Sequence, residues 1–346
     1  MTVEGIMIKL SDVAKRAGVS SMTVSRVINH PDKVSADTIL RVRKAMEELQ
    51  YVSNGPAKSL ALGQTRILAL LVPDVTNPFF TTVARGAEDV ARNAGYRLIL
   101  CNTDENPEVE WNYLQMSRSR QVDGLIVSVC DDNSAEHLKV LPIDKVPVVL
   151  VDRKIPGEPY LDYVVGDNVS ASEQLIDYLI ARGHTRFGFV FGNPAVSVIR
   201  DRMTGVQRSL QSHDLIWRAD LCLTHACSRA DYRSITEDWI PRHHVTAIFA
   251  WNNLTAAHVY HLLVSHGYRV PDDVLVSCFD NPDPLSITNG FIPFVQQPAY
   301  EMGRKATIQL LERIAGSGGQ GVIHQILVSQ LVDRTLAPTT EIAEHR

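Results

Sequence analysis

From about residue 65 onward, short unbroken apolar runs alternate with longer stretches whose apolar positions recur every three or four residues. The runs are Ile67–Val72, Arg97–Cys101, Gly124–Val129, Val148–Val151, Phe187–Phe191, Ala247–Ala250 and Val274–Phe279. Strands buried on both faces of a parallel sheet read this way, because neither face meets water. The stretches between them include Phe79–Asn93, Val169–Arg182, Arg202–Gln211 and Thr255–His266, which read as amphipathic helices. Strand–helix alternation of this kind predicts a doubly wound α/β body.

The first 50 or so residues lack strand-like runs and predict three short helices. The first follows a cap at Ser11 and runs Asp12–Ala17, with Leu10, Val13, Ala14 and Ala17 apolar; Gly18 ends it. Ser20 caps the second, Ser21–Asn29, and after a break at Pro31-Asp32, Ser35 caps the third, striped by Ile39, Val42, Met46 and Leu49. Two short helices joined by a tight glycine turn make a helix-turn-helix. In the second helix Val24, Val27 and Ile28 suit a core. Met22, Ser25, Arg26 and Asn29 share the opposite face, with groups that reach base edges or phosphates. A solvated face on a plain helix bundle is the bland alternative.

Charge sharpens this picture. The 346 residues carry a net −5, but residues 1–62 hold nine Lys and Arg against six Asp and Glu, a net +3, leaving −8 on the rest. A basic head on an acidic body suggests that only the head meets a polyanion. With 45% hydrophobic residues the chain is not disordered as a whole, and its apolar runs are strand-length, too short to span a membrane. Met1–Met7 carries Glu4 and no basic start, so no secretion leader is expected, and the five scattered cysteines read as reduced thiols of a cytoplasmic protein.

The run from Leu10 to Arg66, including "DVAKRAGVS" and "TVSRVIN", resembles the headpiece of the lactose/galactose repressor (LacI/GalR) family almost position by position. The match begins near Ile8, so Met1–Ile6 reads as an extra tail and Met7 as an alternative start. The resemblance implies base contacts from Ser21, Met22 and Arg26, with Arg26 as the guanine reader. It implies phosphate contacts from Ser20, Thr23, Ser25, Asn29 and Ser35. Asn54-Gly55-Pro56 is a helix start and Gly63 a stop, but Pro56–Leu62 is too short to be helical alone and by composition is a linker. The resemblance makes it a hinge helix that pairs with a dimer mate in the minor groove, with Ala57, Lys58 and Leu60 at the DNA. Lys58 stands where the family commonly has Arg.

In the body, acids, amides and aromatics follow the strand runs: Asp74 and Asn77 with Phe79 and Phe80, then Asn102 and Asp104, Asp131, Asp152 and Arg153, Asn193, Trp251 to Asn253, and Asp280 and Asn281. Open parallel sheets bind ligands beyond these strand ends, and this chemistry suits a hydroxyl-rich molecule. "PDVTNPFF", "VPVVLVDR", "AIFAWNNLTA" and "QQPAYEMGRKA" extend the family resemblance over the body, and through it to the periplasmic sugar-binding proteins. The fold implied is an N-terminal all-α helix-turn-helix headpiece (8–53), a hinge (54–63) and an α/β periplasmic-binding-protein-like (type I) body (64–335). The body would comprise two doubly wound subdomains joined by three crossovers, about 64–165 plus 282–297 and about 166–281 plus 298–335. The family's effector contacts fall on Phe79, Phe80, Asp152, Arg202, Asn252 and Asp280, with Arg202 and Asp280 expected on opposite lips of the cleft, bridging vicinal hydroxyls. Departures from the family pattern are Thr224–Cys227 ("THAC"), Trp251–Asn253 ("WNN"), Gln296 and Cys278.

No catalytic motif is present. Gly316–Gly321 follows a helix and precedes a strand, the reverse of a phosphate cradle; His258, His261 and His266 lack a metal-binding spacing; and no cofactor is implied. The expectation is a transcriptional repressor that binds near-palindromic double-stranded operator DNA as a homodimer, under a carbohydrate effector, with no membrane association. A nucleobase, a nucleoside or a protein partner in place of the sugar, and an α/β enzyme carrying a DNA-binding head, are the alternatives.

Overall fold

A computed structural model of the chain describes residues 8–29, 31–51, 64–224, 229–282, 293–317, 319 and 321–333. The chain divides into two compact units, Met1–Arg66 and Ile67–Arg346.

The first unit holds α1 (Leu10–Ala17), α2 (Ser21–Asn29) and α3 (Ala36–Glu48) around a core of Val13, Ala14, Ala17, Val24, Val27, Val42 and Ala45. α1 begins two residues before the expected start. Its cap is Lys9, whose backbone N–H donates to the Asp12 carboxylate at 2.8 Å, so Ser11 lies inside the first turn. A carboxylate reaching back to an orphan amide also favours the positive end of the helix. Gly18 stops α1 at φ 66°, and the Val19 N–H closes the end on the Ala14 carbonyl. Ser20 caps α2 as expected, its Oγ accepting the Thr23 N–H at 3.2 Å. Ser35 occupies the cap position of α3, but its hydroxyl bonds the Thr38 hydroxyl at 2.9 Å instead of a helix amide.

The second unit contains two six-stranded sheets. Strands β1 (Ile67–Val72), β2 (Arg97–Asn102), β3 (Gly124–Val127), β4 (Val148–Val151), β5 (Asp162–Gly166) and β11 (His324–Leu327) form one, in the order β11-β5-β4-β3-β1-β2. The other consists of β6 (Phe187–Val190), β7 (Cys222–Leu223), β8 (Ala247–Ala250), β9 (Leu275–Phe279), β10 (Phe294–Gln296) and β12 (Gln330–Val332), in the order β12-β10-β9-β8-β6-β7. The two orders coincide when β1 is matched to β6 and β4 to β9, so the subdomains are copies of one plan. Every strand pair is parallel except β10 with β12. The seven apolar runs all became strands. The β3 strand ends two residues short of the run, and the short strands β5, β7, β10, β11 and β12 lay outside the runs.

Among the described residues, the longer body helices are α4 (Pro78–Asn93), α5 (Pro107–Arg118), α6 (Asn168–Ala181), α7 (Ser197–Ser212), α8 (Asn253–Ser265) and α9 (Ala299–Ile314). Asn77 caps α4 by accepting the Phe79 N–H at 3.0 Å, with Pro78 in the first turn. Helices α4 and α9 meet backbone to backbone. A Cβ on Gly303 would lie 1.9 Å from the Val83 carbonyl oxygen, and one on Gly86 2.0 Å from that of Tyr300.

That contact overturns the expected partition of the C-terminal third. β10 pairs with β9 and belongs to the second subdomain, whereas α9 and β11 belong to the first, the reverse of assigning 282–297 to the first and 298–335 to the second. The chain passes between subdomains at 166–168, 297–299 and 327–330. The middle passage comes after β10 because Phe294 and Val295 pair with Cys278 and Phe279 inside the second sheet, between β9 and β12. Crossover segments carry no periodicity of their own, so local pattern cannot fix which side of a strand they take.

Candidate functional site

In the first unit the α2 surface has the two faces its sequence predicted. Val24 and Val27 are buried, while Ser20, Ser21, Arg26 and Ser35 are exposed and Thr23 and Ser25 half-buried. Met22 is 65% exposed, although a methionine would gain from burial. Arg26 makes no ion pair among the described residues, whereas Arg16 pairs with Glu48 and Arg41 with Asp37. This face therefore offers an unpaired guanidinium and an apolar tip side by side. The Asn29 side chain and the whole of Ala57, Lys58 and Leu60 lie outside the described residues.

In the second unit, Phe79, Phe80, Asp152, Arg202, Asn252 and Asp280 converge on one cavity of about 250 Å³ between the subdomains. They come from five places in the chain: Asp152, Asn252 and Asp280 follow strand ends, Phe79 and Phe80 open α4, and Arg202 reaches in from the second turn of α7. Asp152 follows β4 and Asp280 follows β9, equivalent strands of the two subdomains, and both adopt left-handed backbone, at φ 65° and 63°. Each acid is 5% exposed. Burial pushes the Asp280 carboxyl up to about 7 against the pull of Arg202 and the two hydrogen bonds from Gln297 Nε2, at 2.9 and 3.1 Å. Burial raises Asp152 as well, against the attraction of Arg153 and Arg202.

Arg202 stands on α7 and is fully enclosed. Its Nε donates to Asn168 Oδ1 at 2.8 Å and its Nη1 to the Trp251 carbonyl at 2.5 Å, and the guanidinium lies 3.8 Å above the Phe279 ring. Burial lowers its pKa, with Asp280 and Asp152 pulling the other way. Only Nη2 has no hydrogen-bond partner among the described residues. Arg202 and Asp280 both belong to the second subdomain, so they do not stand on opposite lips as expected. Asp152 is the acid that faces them from the first. Both residues fall within 166–281, the span assigned to one subdomain from the sequence, so that partition already puts them on one lip.

Further groups line the cavity beside the six effector positions. Arg153 forms a bidentate pair with Glu105 at 2.7 and 2.8 Å and also donates to the Val129 and Cys130 carbonyls. Gln297 holds Asp280, and half-buried Trp251 supplies an aromatic wall. The Asp-Arg adjacency at 152–153 was the available signal for Arg153; Gln297 had none. Other strand-end residues serve turns alone: Asn102 accepts the Val75 N–H, Asp131 that of Asn133, and Asn193 that of Ala195. Cys278 is buried in the sheet below the cavity, and Gln296 lies on a neighbouring cavity of about 380 Å³ that shares Phe79, Asp280 and Gln297. Of the "THAC" segment, residues 225–227 lie outside the described residues.

The cleft is closed at its rim. Asn253 Nδ2 donates to Asn77 Oδ1 at 3.0 Å, Lys154 pairs with Asp201 at 2.9 Å, and Arg200 pairs with Asp132 at 2.9 Å. Each contact joins one subdomain to the other, so a ligand held by both acids would stabilise this closed arrangement.

Known proteins share both units. Residues 9–54 match the profile of bacterial regulatory proteins of the lacI family, and residues 65–331 that of the periplasmic binding proteins and sugar binding domain of the LacI family. The HTH-type transcriptional repressor PurR of Aliivibrio salmonicida is 31% identical over 310 residues, covering 89% of this chain and 92% of its own. The ribose operon repressor of Bacillus subtilis is 32% identical over 306 residues, covering 88% and 91%. The solved complex of the transcriptional regulator CelR with cellobiose superposes with a TM-score of 0.67 at 26% identity, covering 95% of this chain and 99% of that one.

Proposed function

The chain belongs to the LacI family of bacterial regulatory proteins, and from that premise we propose that it represses transcription from a near-palindromic operator, as a homodimer, under the control of a monosaccharide-sized sugar. The observation that carries the effector half is the convergence of the six family positions on one enclosed cavity. Its volume of about 250 Å³ lies just below the roughly 300–1,000 Å³ typical of sites for drug-sized ligands. Asp152 and Asp280 accept from hydroxyls, Arg202 Nη2 and Asn252 donate to them, and Trp251 covers an apolar ring face.

In the DNA-binding half, Ser21, Met22 and Arg26 read bases, and Ser20, Thr23, Ser25, Asn29 and Ser35 hold phosphates. Ala57, Lys58 and Leu60 enter the minor groove as a paired hinge. The effector biases the cleft, and the cleft biases how two bodies present their hinges to DNA. We read the chain as a regulator without a catalytic role, acting in the cytoplasm where its operator is. The buried carboxylates hold ligand: both oxygens of Asp280 are engaged by Gln297. No helix among the described residues is long and apolar enough to cross a membrane.

The test is operator binding by fluorescence anisotropy with and without sugars that raise the protein's melting temperature. Arg202→Ala should keep operator affinity and lose the sugar response. A response unchanged in that variant would reject the cavity as the effector site.

A further inference from the structure

We propose that the cavity admits only effectors without negative charge, so that sugar phosphates and sugar acids are excluded while their neutral parents bind. This rests on the reading of the cavity as the effector site. Three features of the lining support it.

The first is that its cations are largely engaged, with Arg153 Nε and Arg202 Nη2 the guanidinium nitrogens left without a hydrogen-bond partner among the described residues. Arg153, though it lines the cavity, has both terminal nitrogens on the Glu105 carboxylate, in a fork-to-fork pair, and one of them also serves two backbone carbonyls. Such a pair leaves little charge for a ligand to meet. Arg202 has Nε and Nη1 committed to Asn168 and Trp251, and its remaining nitrogen lies in the field of Asp280 and Asp152.

The second is the balance of charge. The lining carries four carboxylates, from Asp74, Glu105, Asp152 and Asp280, against the two guanidiniums. With a proton on Asp280 the acids still outnumber the bases. His258, the remaining titratable residue on the lining, is exposed.

The third is that two of the three helix starts at the cavity, the usual sites for an anion, are capped by a side chain; the start of α7, whose Val198 lines the cavity, is not. Helix N-termini attract anions through unpaired amides. Asn77 Oδ1 takes the Phe79 N–H of α4, and Asn252 Oδ1 takes the Thr255 N–H of α8 at 2.8 Å. A phosphate or carboxylate entering here would lose its water and find, in place of these amides, a guanidinium nitrogen already held in the field of two carboxylates.

The experiment compares matched pairs on the full chain by calorimetric titration and thermal shift: D-ribose with D-ribose 5-phosphate, and D-glucose with D-glucose 6-phosphate and D-gluconate. A neutral sugar should bind, and its charged derivative should bind at least tenfold more weakly. Glu105→Gln breaks the fork and frees the Arg153 charge, so it should narrow that ratio tenfold or more. The wild-type ratio decides by itself, so a variant that fails to fold leaves the test intact. Equal or tighter binding of a charged derivative by the wild type, lost in Arg202→Ala, would overturn the charge rule while keeping the cavity as the site. Binding of any of these compounds that survives Arg202→Ala would instead place the effector elsewhere.

Discussion

Replacing Asp280 with Asn should make the ligand-free protein more stable above neutral pH, although it damages the binding site. Asp280 is 5% exposed, and its carboxyl is raised from the ordinary 3.8 to about 7. Between those values the folded protein keeps a proton that the unfolded chain has released. Stability attributable to this group is therefore highest at the acid end of the window and declines as pH rises toward 7. Each unit is worth 1.36 kcal/mol, so the cost of holding the charge at pH 8 is at most about 4 kcal/mol. Asn keeps an acceptor for the Gln297 amide and removes the charge. Urea unfolding of the ligand-free chain from pH 5 to 8 should show the wild type losing stability across this range more steeply than Asp280→Asn. The variant should be the more stable of the two at pH 8 by an amount of order 1–4 kcal/mol. Buried Asp152, also raised, adds slope in the same direction to both proteins. Parallel pH profiles for the two proteins, or a variant less stable at pH 8, would refute the reasoning. A sugar whose hydroxyls donate to Asp280 favours its charged form. Binding to the wild type near pH 6.5 should then release part of a proton, seen as a dependence of calorimetric heat on buffer.

Other perturbations test other parts of the molecule. Arg26→Ala should weaken operator binding by about 1–3 kcal/mol and relax preference at one base position in each half-site, read by selection from a randomised operator. Gly303→Ala forces a Cβ to within 1.9 Å of the Val83 carbonyl and must part α4 from α9; it should cost about 1–3 kcal/mol, seen as a lower melting temperature. Asn253→Ala removes the bond to Asn77 across the cleft, and should weaken sugar affinity several-fold while leaving operator affinity without sugar nearly unchanged.

The sequence by itself determined most of what depends on near neighbours, the caps at Ser11 and Ser35 excepted. The apolar runs became strands because their pattern records burial on both faces, and Ser20, Gly18 and Asn77 bound their helices because a cap acts within three residues. The two faces of α2 were likewise legible, since a helix sets them by its own periodicity. Strand-end position even marked the carboxyl edge at which five of the six site residues meet; Arg202, inside α7, came from the family resemblance alone. The tertiary structure decided what depends on partners far along the chain. Pairing of Phe294 and Val295 with Cys278 and Phe279 sent β10 to the second subdomain and α9 to the first. The fork between Arg153 and Glu105 and the grip of Gln297 on Asp280 join residues 48 and 17 positions apart. The charge state of those carboxylates followed the same rule. A carboxyl's pKa is set by the water it loses and the charges brought beside it, and both are fixed only when distant segments close over it.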